Sequence, residues 1–434
     1  RRVLFRSELS EFCGHEFELP GRVISLVREC LDKRKKDQEE ISTEEPSKEP
    51  FSRKLSVSHL LQAVSDKTGI RTTLLDDTTL LDRDSIRSFF ESRVLGQTEA
   101  IEVATDIVMM IKAGLTDPNK PFCTMLFIGP TGVGKTEMAR AIAEYCLNDA
   151  QRVVRLDMSE YMTVDTNWRL LGNKRQSGAL TGPIRERPFS VILLDEFEKS
   201  NYAVFDLCLQ LFDAGRLTDL SNRTVSFRRT IIILTSNLGS RIDTPSKSSQ
   251  LGFGKTLDTE EESLASRARQ SAQNALHAVF RPEFINRLDR VVHFVPLNRD
   301  TIEQIARREL ERALDRSGIT RRKLKIQVDP SIYHVLSDSG FSPAFGARPL
   351  KRTIEKMVVI PLARDIASGK IPIGSTIRIA LRGGKIRLRP VKTDLEQDSV
   401  SVDTLQPSRR SISENQTLQR SEEHTSELQS RQYL

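Results

Sequence analysis

The residues best suited to chemistry begin with the octet Gly129-Pro130-Thr131-Gly132-Val133-Gly134-Lys135-Thr136. Its G-x-x-x-x-G-K-T spacing suits phosphate binding. The glycines let backbone N–H groups close around phosphate oxygens, and Lys135 has the reach and charge to meet the outer phosphates. The Thr136 hydroxyl is a hard oxygen ligand fit for magnesium. A second pair, Asp195-Glu196, closes an apolar run over residues 191–194. The first carboxylate can hold magnesium, and the second can activate water for attack on a terminal phosphate. Asn237 ends a later apolar run. Its neutral amide can bridge the γ-phosphate and the attacking water. Arg287, after a helical pattern, is a guanidinium suited to neutralise transition-state charge on a neighbouring subunit's nucleotide. Arg348 stands at a helix start, where a cation is unfavourable unless it faces an anion. The chemistry these residues can do together is hydrolysis of ATP with magnesium.

Such side chains need a frame that brings strand ends to one edge. Residues 124–128 are an apolar run before the octet, and residues 137–146 carry a helical pattern after it. Further runs at 153–157, 191–196, 230–235 and 290–295 read as strands, separated by helical patterns. That alternation predicts a parallel sheet with helices on both faces, with the strand C-termini opening on the ligand crevice. A turn at 94–97 opens a long helix to about residue 112, and shorter helices are expected at 56–64 and 85–90. Beyond residue 298 the pattern changes to helices at 300–318, 331–337 and 345–368, then two short strands at 376–381 and 385–389. This predicts a small, mainly helical second domain with an edge hairpin.

Of 434 residues, 38% are hydrophobic and 29% charged, a globular composition with room for two or three units. The net charge of +7 arises from basic residues interleaved with acids, which reads as a solvated surface. No basic-aromatic stripe points to nucleic acid, and no apolar run reaches the roughly 18 residues of a membrane span. Cys13, Cys30, Cys123, Cys146 and Cys208 form no C-x-x-C pair. They point to a reducing cytoplasm without structural zinc, with Cys123 and Cys146 buried as small apolar residues. His15, His59, His277, His293 and His334 have no ligand spacing and read as structural. Residues 1–7 and 420–430 resemble in-frame translations of a sequencing-library adapter, and 431–434 read as part of the same scar.

The set GPTGVGKT, VILLDEFEK, GRLTD, TSNLGS, FRPEFINRLD and GARPLKR resembles the second ATPase module of the Clp family of AAA+ unfoldases. The resemblance covers roughly residues 85–390 and implies an AAA+ P-loop fold and a homohexameric ring that threads unfolded polypeptide. It implies ATP and magnesium at Gly129 to Thr136, metal ligation by Thr136 and Asp195, and catalysis by Glu196 and Asn237. It assigns Arg287 as a finger acting in trans and Arg348 as a nucleotide sensor. Residues 94–97, with Val94 and Leu95, resemble the adenine-side motif. Leu19-Pro20-Gly21-Arg22-Val23-Ile24 resembles the end of a first ATPase module. The expected division is therefore an adapter-derived stretch over 1–7, a remnant of an upstream module with its linker over 8–75, a large ATPase domain over 76–297, a small domain over 298–390, a polar tail expected to be disordered over 391–419 and an adapter-derived end over 420–434.

Two features bear on what such a module would act upon. The family carries a glycine-flanked tyrosine loop lining the ring pore, whereas this chain has the shorter Gly172-Asn173-Lys174-Arg175-Gln176-Ser177-Gly178-Ala179-Leu180, without an aromatic residue. Lys174 and Arg175 can touch acidic or backbone groups but cannot grip by aromatic packing. Trp168, just upstream, reads as a packing residue. Leu251-Gly252-Phe253 resembles the tripeptide by which ClpC- and ClpX-type unfoldases dock the ClpP peptidase. The leading expectation is an ATP-driven unfoldase feeding a ClpP-like peptidase. A ClpB-type disaggregase without a peptidase, and a non-threading, ATP-regulated assembly module, stay open beside it.

Overall fold

The structure, a computed structural model, describes residues 56–391 apart from 151, 164–166, 239–269, 271–272 and 343–344, together with residues 28, 31 and 32. The adapter-like ends, the motif at residues 19–24, the tail from 392 and the tripeptide Leu251-Gly252-Phe253 lie outside the described residues.

The chain enters through α1 (Val57–Thr68), whose N-cap Ser56 accepts from the His59 backbone N–H while the His59 ring faces the Ser56 N–H. This reciprocal cap satisfies two of the donors that a helix start leaves open. Then follow α2 (Thr72–Leu75), α3 (Arg83–Arg93) and α4 (Thr98–Ala113). The sequence grouped residues 57–75 with an upstream unit. In the structure Leu60, Leu61, Val64, Ile70, Leu74 and Leu75 instead pack into the same core as the phosphate-loop strand. Arg71 ties the segment down by stacking on Tyr145 and donating to Asn148 Oδ1 at 2.9 Å. Burial of that apolar face decides which domain the segment joins, and its sequence position does not.

The central sheet is built from β1 (Cys123–Ile128), β2 (Val153–Asp157) and β3 (Ser190–Asp195), then β6 (Thr230–Ser236) and β7 (Arg290–His293) after a small antiparallel hairpin of β4 (Arg216–Thr218) and β5 (Thr224–Ser226). All five central strands are parallel, in the order β2-β3-β6-β1-β7. Residues alternate between faces, as the two-residue period of a strand demands. Met125, Phe127, Val191, Leu193, Ile231 and Ile233 face the core made with α1 to α4 and α5 (Lys135–Leu147). Leu126, Ile128, Ile192, Leu194, Ile232 and Leu234 face the other core, with α6 (Asn167–Leu171), α7 (Thr181–Glu186) and α8 (Tyr202–Ala214). Covering on both faces lets the central strands be apolar throughout. The edge strands β2 and β7 are less apolar, and Arg290 is exposed at the start of β7. In β2 it is Arg155 that is exposed.

The short α9 (Pro282–Ile285) precedes β7, and the second domain begins with α10 (Arg299–Leu314), capped by Asn298. It continues through α11 (Ser317–Thr320), α12 (Ser331–Gly340), α13 (Arg348–Ile354) and α14 (Ile360–Ala367). Between α13 and α14 a π turn spans Glu355–Val359, where the Ile360 N–H reaches five residues back to the Glu355 carbonyl. Pro361 follows at once and has no N–H to give, so a widened turn accommodates the missing bond. The two expected strands, β9 (Thr376–Arg382) and β10 (Lys385–Val391), form the hairpin. A third, β8 (Lys325–Val328), pairs parallel with β9 and makes a three-stranded sheet where the sequence showed only a hairpin. Four residues interleaved with charge carry too little periodicity to be read. No helix among the described residues is long and apolar enough to cross a membrane.

Candidate functional site

Strand β1 ends at Ile128, and the octet turns sharply into α5. Gly132 has φ +76°, and a Cβ there would stand 2.1 Å from the Phe345 carbonyl oxygen of the second domain. Gly129 approaches Phe294 as closely, 2.4 Å from its carbonyl oxygen by the same construction. Only glycine allows this backbone path. It aims the loop's N–H groups and the start of α5 at one point, an arrangement that favours anions.

Lys135, the first residue of α5, is 7% exposed. Its ammonium donates to the Gly129 carbonyl at 2.6 Å, the Pro130 carbonyl at 2.7 Å and Asn237 Oδ1 at 3.0 Å. Burial pulls its pKa down to about 8, against the opposing pull of the Glu198 and Asp195 carboxylates. Parallel pairing of β1 with β6 sets Ile128 opposite Ser236, so Asn237 emerges beside the loop. The Asn237 amide N–H also reaches Glu196 Oε1 at 3.4 Å. One side chain thus touches the lysine and the expected catalytic carboxylate.

Asp195 and Glu196 end β3, next to β6 in the sheet. Asp195 is buried, and it accepts from the Thr235 hydroxyl on one oxygen and from Arg155 at 2.6 Å on the other. Glu196 adopts a left-handed backbone, φ 56°, rare for a residue with a Cβ. The turn points its carboxylate to Lys199 and Asn237. Glu198 accepts from the Asn237 backbone N–H at 3.1 Å, while its Oε2 is buried without a hydrogen-bond partner among the described residues.

These groups line a cleft of about 330 Å³ between the two domains. Thr131 to Thr136, Asp195, Glu196 and Asn237 form its floor, with Val94 and Leu95 on one wall. The Gln97 amide fixes that wall, giving its N–H to Val295 O at 2.9 Å and accepting from Val295 N at 3.0 Å. Arg348, at the start of α13, closes the cleft from the second domain, where Ala347 N bonds Gly132 O at 3.3 Å. Gly129 and Pro130 serve through their carbonyls on Lys135. Of the expected residues, only Arg287 stands apart. It pairs with Asp213 at the end of α8 and is not among the residues lining its own cleft.

Several charged cleft residues escaped the reading of the sequence as site residues, Arg155, Arg308 and Arg312 among them, and so did Glu198, whose charge acts on Lys135. Arg308 donates both guanidinium arms to the carbonyls of Ser92 and Arg93, pinning α10 to the wall that carries Val94. A lone cation in the apolar β2 was the one available signal for Arg155. The others sit on helix faces where charge is ordinary.

The residues present fit a nucleoside triphosphate with magnesium. The glycine-lined loop is a cradle that side chains would fill. The Lys135 ammonium is held at its floor, and the Thr136 hydroxyl and the Asp195 carboxylate on the same lining are hard oxygen donors fit for magnesium.

Comparison with known proteins identifies the family. Residues 120–291 match the AAA domain (Cdc48 subfamily), and residues 297–379 match the C-terminal, D2-small domain of ClpB protein. Chaperone protein ClpB 1 of Synechococcus elongatus is 37% identical over 341 residues, covering 77% of this chain and 37% of that protein. Chaperone protein ClpB3, chloroplastic, of Arabidopsis thaliana is 38% identical over 358 residues, 80% of this chain and 35% of that protein. An ATP-dependent Clp protease ATP-binding subunit ClpA homolog of Cyanidium caldarium is 34% identical over 378 residues, 86% and 43% of the two chains. The chain thus spans well under half the length of these relatives. With the matched pair of domains, the parallel sheet and a cleft built from the phosphate loop, Asp195, Glu196 and Asn237, this chain belongs to the Clp family of AAA+ ATPases and carries its second, ATP-hydrolysing module.

Proposed function

We propose that this module hydrolyses ATP to remodel misfolded or aggregated polypeptides in a homohexameric ring, as part of a ClpB-type chaperone. The observation that carries the reading is the convergence of Lys135, Asn237 and Glu196 through one amide, on the floor of a cleft closed by the second domain. In this reading the loop N–H groups and Lys135 bind the phosphates. Thr136 and Asp195 hold magnesium, which when bound draws charge from the phosphate under attack. Glu196 takes the proton from the attacking water, and Asn237 keeps that carboxylate and the lysine in register. Arg348 answers charge from the second domain, and Arg287 reaches a neighbouring subunit's nucleotide.

Several relatives named as ClpB chaperones favour the disaggregase over the peptidase-coupled form. A ClpP-like partner rests on Leu251-Gly252-Phe253 alone. Deleting those three residues tests it, since unchanged degradation by added ClpP would reject docking there.

The main test is Glu196→Gln. ATP binding is expected to persist while hydrolysis falls by at least about a hundredfold. A fully active variant would overturn the assignment. Hydrolysis measured with and without an unfolded model polypeptide tests the remodelling step. An unresponsive ATPase would favour a ring held together by nucleotide that does little work.

A further inference from the structure

The sole tryptophan of the chain was expected to pack, but Trp168 is 41% exposed at the start of α6. Two other large apolar side chains lie open near it, Met162 at 61% and Leu220 at 59%. The backbone shows how they adjoin. Trp168 O accepts from Gly172 N at 2.7 Å, and Gly172 O accepts from Leu220 N at 3.2 Å. Arg169, next to Trp168, stacks on Tyr161, the neighbour of Met162.

Between Trp168 and Leu220 stands the shortened loop. Gly172 and Ser177 bridge in antiparallel fashion, and Asn173 N bonds Gln176 O at 2.8 Å. The Asn173 side chain accepts from the N–H groups of Arg175 and Gln176, both at 2.9 Å. The result is a tight, pre-formed hairpin whose tip carries Lys174 and Arg175. Both are exposed, and neither has an acidic partner among the described residues. The nearby carboxylates are already engaged. Glu160 pairs with Arg169, and Asp219 is buried on the backbone and guanidinium of Arg223. Arg185 stands behind the tip, 3.3 Å from the Ser177 hydroxyl. An exposed aromatic and aliphatic rim around an unneutralised cationic tip is complementary to a chain that brings both apolar and acidic side chains.

We propose that this face grips an extended polypeptide whose acidic residues flank an aromatic or large aliphatic side chain. The carboxylates meet Lys174 and Arg175, and the apolar group lies between Trp168 and Leu220. The inference rests on the remodelling reading and names the substrate class within it. Single-stranded nucleic acid fits the face less well. It needs successive aromatic platforms and a cationic track, and here one indole stands beside one charged tip.

The test uses the full chain with Mg-ATP and the Glu196→Gln background to hold the nucleotide. The probes are synthetic tryptophan-free peptides in which Glu, Gln or Lys flank phenylalanine, and an oligothymidylate. Binding is read by Trp168 fluorescence and, independently, by anisotropy of labelled peptide. The Glu peptide is expected to bind roughly five- to tenfold tighter than the Gln peptide, the yield of two screened charge contacts. That advantage should vanish between about 0.1 M and 1 M salt as the Debye length falls from about 10 to about 3 Å. The double variant Lys174→Glu, Arg175→Glu should reverse the preference. Trp168→Ala should weaken all three peptides alike and leave the charge preference in place.

Equal affinity for the three peptides, or an unchanged preference in the double variant, overturns the proposal while leaving remodelling intact. Tighter, Lys174-dependent binding of the oligothymidylate overturns it in favour of nucleic acid. If no peptide binds and no polypeptide alters hydrolysis by the unmutated chain, the remodelling reading itself fails.

Discussion

Arg155 and Asp195 form an ion pair at 2.6 Å across two strands of the central sheet. In the parallel register Arg155 lies opposite Leu193, so its guanidinium reaches diagonally along β3 to the strand's end. With Thr235 on the other oxygen, both oxygens of the expected magnesium carboxylate are engaged within the chain. Each oxygen keeps a second lone pair for a metal, but the Arg155 guanidinium is a cation competing for the same carboxylate. Arg155→Gln is therefore expected to lower the magnesium concentration needed for half-maximal nucleotide binding by about threefold, the order of one partly exposed ion pair. Titration of a fluorescent nucleotide at graded magnesium checks this, and an unchanged midpoint counts against it.

Asn237 holds Lys135 and Glu196 at once. Asn237→Ala should cut the hydrolysis rate by roughly ten- to a hundredfold, the order seen when one positioned polar group is lost. Nucleotide affinity should change far less, because Lys135 keeps the Gly129 and Pro130 carbonyls. Steady-state hydrolysis set beside equilibrium binding separates the two effects.

Lys135 makes nucleotide binding proton-linked. Its pKa of about 8 is below the usual lysine value of 10.5 because of burial. Between those two values the unfolded chain binds more protons than the folded one, so this group makes the nucleotide-free chain more stable as pH rises from about 8 to 10.5. Phosphate charges placed beside Lys135 would raise its pKa again. Binding of ADP near pH 9 should then take up a proton, seen as a buffer-dependent enthalpy in calorimetry, and the uptake should vanish near pH 6.

Gly132 sits where the phosphate loop meets the second domain. Gly132→Ala forces a side chain into a positive-φ site and onto the Phe345 carbonyl. A loss of roughly 1–3 kcal/mol is expected from the backbone strain. Thermal unfolding reads it as a lower midpoint. Gly114→Ala, at φ +64° with open space around it, isolates the backbone part and should cost less.

Arg287 lies outside its own cleft, on Asp213. If it acts in trans, Arg287→Ala should bind nucleotide normally and hydrolyse it poorly. Mixing that variant with Glu196→Gln would rebuild intact sites between unlike subunits. The mixture should exceed the average of the two separate activities, and a purely additive result would reject the trans role.

The linear chain by itself determined a good deal. The octet, the acidic strand end and Asn237 were legible because phosphate chemistry demands fixed residue types at short spacing. The parallel sheet was legible because strands buried on both faces must be apolar throughout. The tertiary structure decided what depends on distant partners. It drew α1 and α2 into the ATPase core, since burial of Leu60, Val64 and Leu74 rewards contact irrespective of chain order. It added β8, whose four residues gain stability only by pairing with β9. It brought Arg155 to Asp195 and Arg308 to the carbonyls of Ser92 and Arg93, and left Trp168 exposed beside a cationic hairpin. Local spacing constrains backbone conformation and the few residues within reach of it. Which side chains from remote segments meet, and which stay open to solvent, follows only from the packing of the whole domain.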